Sequence, residues 1–309
     1  MKKIFLTVVM VLLFNPVVYA EDSTDTITFL TQKGFFDSKP KASSLNPRIE
    51  IKKALCSHLR YANSYKLEEL KSLYDEDYKN ADGLNKDIYF ELIKKTWDAY
   101  PDIKYKMDVR NIEINEDRAV VQVRETAVAT TSAESGIVKQ KGLLESISDS
   151  VYYFEKIHNE WLITSDYILF EKTFLRYGSA KDVEVSLSSP ALIEANTQYT
   201  ATLNLKPQKD TFVIASIGRE NITYPQKPAK EVFRKLPEDG ILERVLKSND
   251  KNINEYAVAS YGITQAEFSE KEQIKIRVTG LGFVMVRVNV FPKNKFVKAG
   301  KDENNEQVE

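Results

Sequence analysis

Cysteine is almost missing from this 309-residue chain: Cys56 stands alone. A single thiol excludes an internal disulfide, and its ordinary role is helix packing. Histidine is nearly as scarce, with only His58 and His158. One sulfur and two imidazoles are too few for the usual zinc set, so no metal is expected. No glycine-rich loop opens a helix, so no cofactor is expected either; Gly280-Leu281-Gly282 reads as a hairpin turn. Charge of one sign is lacking too. The formal net charge is -1 and Lys and Glu are scattered, which leaves no basic field for nucleic acid or an anionic membrane surface. Beyond the first twenty residues no apolar run is long enough to cross a bilayer as a helix.

What is present begins with a three-part opening. Lys2 and Lys3 form a positive head, Ile4 to Phe14 is apolar, and Val18-Tyr19-Ala20 supplies the small residues that a signal peptidase reads. This layout predicts a secretion signal over residues 1–20, cleaved after Ala20, and hence an exported protein, periplasmic or secreted, with no stable membrane insertion afterwards. Cys56 lies too far from that cleavage point to carry a lipid. With 16 Tyr and 15 Phe the remainder has the composition of a folded protein, long enough for two cores.

Residues 21–46 are polar, with Phe29-Leu30 and Phe35-Phe36 as their apolar points, and read as an arm. After Pro47 the residues Ile51, Leu55, His58, Leu59 and Ala62 share a helical face. Leu67, Leu70 and Tyr74 mark a short second helix. Asn85 caps a third, with Tyr89, Ile93, Trp97 and Tyr100 on one side and Pro101 beyond its end. The period then switches to two, through a slip near Asn111, for four strands ending near Phe170. Three helices on a curved antiparallel sheet make an α+β unit over residues 47–177. Residues 178–182 read as a linker. Short alternating strands over residues 183–292 predict an all-β, immunoglobulin-like sandwich without its disulfide, and 293–309 a disordered tail.

Tyr61 to Tyr78, with its Leu73-Tyr74-Asp75, resembles the opening of the nuclear-transport-factor-2-like superfamily, which includes ketosteroid isomerase and polyketide cyclases. Tyr152 to Ile163 is similar to that family's last strand pair. The resemblance spans about Ile49 to Thr173 and implies a cone-shaped pocket between helices and sheet. It also implies a donor at His58, a base at or near Asp82 and a sheet acid at Asp149 or Ser150. A core histidine held by one hydrogen bond, and a turn role for Asp82 before Gly83, are the plainer readings of those residues. His58, Trp97, Tyr100 and Trp161 are the candidate pocket walls, for a small apolar ligand or an unknown protein partner. The expected function is a non-enzymatic exported binding or assembly protein, with the sandwich as spacer or recognition module. The alternatives are an isomerase- or cyclase-type enzyme and a subunit of a larger envelope complex.

Overall fold

The computed structural model describes residues 46–207, 209, 211–226, 231–268 and 274–293. The segment read as a secretion signal, the expected arm up to residue 45 and the expected tail from residue 294 lie outside them. Asn46 accepts from the Arg48 N–H and caps α1 (Pro47–Asn63), whose buried face is Ile51, Leu55, His58 and Ala62. Next come α2 (Leu67–Lys71) and α3 (Lys86–Ala99), the latter capped by Asn85 accepting from Ile88 N–H.

An antiparallel meander follows: β1 (Lys104–Asn115), β2 (Arg118–Glu134), β3 (Lys141–Ile157) and β4 (Glu160–Gly178). The expected slip near Asn111 is a register shift in β1 between Val109 and Asn111. Two more shifts, opposite Asp149/Ser150 and Tyr153/Phe154, leave Leu169 and Thr164 of β4 without a partner in β3 and bend the sheet. The helices close over its concave face. One apolar cluster joins Ile51, Leu55, Leu70, Ile93 and Trp97 to Val121, Val123, Ala127, Phe154 and Ile163.

Residues 178–182 are not a free connector. Gly178 adopts φ +56°, Ser179–Asp182 forms a 3-10 turn, and Ala180 is wholly buried. Beyond it lie β5 (Val185–Ser188), β6 (Leu192–Glu194), β7 (Gln198–Leu205), β8 (Thr211–Asn221), β9 (Arg234–Lys235) and β10 (Ile241–Lys247). Two long strands complete the chain, β11 (Glu255–Phe268) and β12 (Ile274–Phe291). One sheet runs β1-β2-β3-β4-β12-β11-β8-β9, with β6 parallel on β12, and a second runs β10-β7-β5. They enclose another core, with Leu187, Ala201, Leu203 and Leu205 facing Ala215, Ala257, Val286 and Val288.

The cone's sheet therefore does not stop at β4. The end of β4 is paired on one side with β3 and on the other with β12, from Lys172↔Val286 to Gly178↔Gly280. Gly280-Leu281-Gly282, expected as a hairpin turn, lies within β12 instead. Its glycines admit close neighbours: a Cβ at Gly280 would meet Ser179 and Ala180, and one at Gly282 would collide with the Tyr261 ring.

Candidate functional site

The bulges decide what points into the cone. Successive strand side chains alternate between faces, so β2 presents Val121, Val123, Glu125 and Ala127 inward, and β3 presents Ser146, Ser148, Ser150, Tyr152 and Phe154. In β4 the extra residues break the alternation and bring Ile163, Asp166, Ile168, Glu171 and Thr173 inward. Glu125, Ser148 and Glu171 stand in register across three strands. The result is a polar band buried inside an aromatic shell, where the Tyr74 ring lies 4.9 Å from Tyr78, 5.0 Å from Phe90 and 5.7 Å from Tyr89.

His58 enters this band from α1. It is 2% exposed, its Nε2 lies 2.8 Å from the Tyr74 hydroxyl, and its ring sits 5.9 Å from Tyr152. Burial pushes its pKa down to about 4, so it is neutral near pH 7. Tyr152 donates to Glu125 Oε1 at 3.0 Å. Burial pushes the Glu125 carboxyl up to about 8. Asp166 is pushed up to about 7, again by burial, although the Tyr78 hydroxyl donates to it and opposes the shift. Four polar atoms here, His58 Nδ1, Glu125 Oε2, Ser148 Oγ and Ser150 Oγ, are closed off from solvent; His58 Nδ1 and Ser148 Oγ have no hydrogen-bond partner among the described residues, whereas Ser150 lies against Glu125.

Of the other residues singled out from sequence, Ser150 shares the buried band with His58 and the rest do not join it. Asp82 is turned to the junction with the second unit. Its Oδ1 accepts from Arg287 Nη2 at 2.6 Å and from Asn254 Nδ2 at 2.8 Å, and its Oδ2 accepts from Arg287 Nη1 at 3.0 Å. Asp149 faces the convex side and accepts a fork from Arg124 at 2.7 and 2.8 Å, whereas its neighbour Ser150 points inward. Trp97 donates its indole N–H to the Tyr105 hydroxyl at 2.9 Å, near the end of α1, where Asn63 bonds the Tyr105 backbone. Trp161 donates to Glu50 at 2.9 Å, in the first turn of α1. At 1.5 Å per residue the two indoles bracket about 20 Å of helix. Tyr100 is buried just beyond α3, and burial raises its phenol pKa. His158 is exposed in the β3–β4 turn.

Helices at the concave face, a meander curved by bulges, and a polar interior reached from α1 now define the first unit. That unit resembles nuclear-transport-factor-2-like folds. No family model and no curated protein matches the chain. Among solved structures, a conserved protein from Planctomyces limnophilus is 15% identical, over 39% of this chain and 92% of its own, at a TM-score of 0.34. A putative dehydratase of the nuclear-transport-factor-2-like family from Streptomyces avermitilis is 13% identical, over 39% and 94%, at 0.33. A nuclear-transport-factor-2-like protein from Cytophaga hutchinsonii is 14% identical, over 40% and 98%, at 0.29. At such scores these likenesses concern shape alone, over about 40% of the chain, and carry nothing about activity.

Sequence reasoning missed Glu125, Asp166, Glu171 and Arg287. Glu125 had a usable signal, since a carboxylate stands in the apolar phase of Val121-Val123-Glu125-Ala127. The other three had none, because bulges and a partner strand 100 or more residues away set their environment.

Proposed function

We propose that this chain is an exported, non-enzymatic binding or assembly protein that presents its outer surfaces on one continuous sheet. The observation that carries this reading is the closure of the cone. His58 is engaged by Tyr74, Asp82 is committed to Arg287, and the remaining polar atoms of the interior are shielded from solvent. An acid–base pair needs a shared, reachable reacting position, and these two residues have none. The second unit fits an immunoglobulin-like sandwich as recognition module or spacer: the chain passes repeatedly between opposed sheets, β10-β7-β5 and β6-β12-β11-β8-β9. Export rests on the Lys2 to Ala20 layout.

Fractionation of cells expressing the full chain, with N-terminal sequencing, checks export; a mature form starting at Glu21 is expected, and a cytoplasmic chain starting at Met1 ends that part. Capture of partners from envelope extract by the full chain checks the rest. His58→Gln and Glu125→Gln variants should capture the same partners, and a folded variant that loses them would return the function to the interior.

A second reading keeps chemistry in the cone. Its support is the pair of buried carboxyls, Glu125 and Asp166, raised to about 8 and about 7 and each bonded by a tyrosine. On that reading Glu125, rather than Asp82, is the partner of His58. Turnover that follows an ionisation near pH 8 and disappears in Glu125→Gln would favour it over the binding role.

A further inference from the structure

Where the two units meet, buried acids outnumber buried bases. The segment after α2 is strapped along β4, with Asp75 N–H on the Ile163 carbonyl at 2.9 Å and Ala81 N–H on the Asp166 carbonyl at 3.0 Å. It thereby delivers Asp82 to Arg287 of β12, an ion pair whose side chains are 2% and 0% exposed. Arg287 also donates from Nε to Asn289 at 2.8 Å, and Asn289 donates to the Leu169 carbonyl at 2.9 Å. On either side of this pair stands a buried carboxyl bonded by a tyrosine. Tyr78 donates to Asp166, and Tyr256 of β11 donates to Glu171 at 2.6 Å.

The groups facing the two carboxyls come from every element packed there. They are Tyr78 and Asp82 from the strap, Tyr152 from β3, Thr173 from β4, Tyr256 from β11 and Arg287 from β12. Tyr74, Tyr89 and Glu125 lie further into the cone, within the field of Asp166 or Glu125. Arg287 is the one cation in this set, and its two terminal nitrogens are engaged by Asp82. Ionising Asp166 or Glu171 in place buries a charge without a cation of its own, which is costly.

We infer that the junction is a proton-held latch, in which neutral Asp166 and Glu171 let the Asp82–Arg287 clamp close the second unit onto the cone, and loss of their protons loosens it. Burial raises the pKa of both groups, Asp166 to about 7. The closed state holds these protons more tightly than the open one. The contribution of these two groups to closure is therefore full below the ordinary carboxylate range and is lost as the pH climbs through about 7.

Amide hydrogen exchange on the full chain at pH 5 and pH 8, corrected for intrinsic rates, tests the latch. Protection at residues 254–258 and 284–289 should drop by about tenfold or more at pH 8, one pKa unit's worth of free energy or above, while β7 stays protected. In the double variant Asp166→Asn/Glu171→Gln the two pH values should give equal protection at the junction. Equal protection in the wild type would overturn the latch whether or not the variant folds. A loss shared equally by β7, or a pH response unchanged in the folded double variant, would overturn it as well.

Discussion

Single side chains in this protein differ sharply in what they are worth, because burial differs sharply. Glu125 is wholly buried and held neutral, with its folded pKa raised to about 8. A raised acid stabilises the fold fully below its ordinary pKa and loses that contribution as pH rises through the raised one. Glu125→Gln cannot ionise. Denaturant titrations from pH 5 to pH 9 should show the variant gaining on the wild type by up to about 4 kcal/mol; parallel curves would refute the assignment. Asp82 and Asp149 carry similar forked arginine pairs in different surroundings. Asp82→Ala strands Arg287 in the interior and should cost about 3–5 kcal/mol. Asp149→Ala removes a pair whose side chains are 41% and 30% exposed and should cost less than about 1 kcal/mol. Equal losses in urea unfolding would contradict the burial argument.

Among the elements, close approach and edge protection matter most. Gly282 lies under the Tyr261 ring, so Gly282→Ala forces β11 and β12 to shift. An overpacking cost of about 1–3 kcal/mol is expected, as a lower thermal midpoint. The Gly282→Ala/Tyr261→Leu double variant should recover part of it. At the outer edge of β1, the Asn63 side chain acts as a short strand: its Nδ2 donates to the Tyr105 carbonyl at 2.9 Å and its Oδ1 accepts the Tyr105 N–H at 2.8 Å. Arg48 caps the same edge further on, at the Ile112 carbonyl. Side chains from α1 thus occupy backbone groups that an edge strand would otherwise offer to a second chain.

For the whole molecule, the continuous sheet and the Asp82–Arg287 clamp tie both cores together. At pH 5, where the carboxyls are protonated, calorimetry should give one unfolding transition with equal calorimetric and van't Hoff enthalpies. Two separated transitions at that pH would mean that the units unfold independently.

The helices, the four-strand meander and the inward face of α1 were legible in the residues, because local period and capping chemistry specify them: Asn85 before α3, Pro47 in the first turn of α1, alternation in β2. The glycines at 280 and 282 misled, since the close contact that requires glycine comes from Tyr261 and the Ser179–Asp182 turn, both remote or set by tertiary packing. Asp82 was legible as a turn residue and illegible as an ion-pair partner, for Arg287 lies 205 positions away. Asp166 and Glu171 were hidden because bulges in β4 change which face a side chain takes, and a bulge is settled by pairing rather than by composition. By itself the sequence determined the three helices and the four-strand meander, since those follow from neighbours along the chain. Only the tertiary structure decided that the two units share a sheet and that the cone closes over neutral acids, since both depend on which distant strands meet and on how much water they exclude.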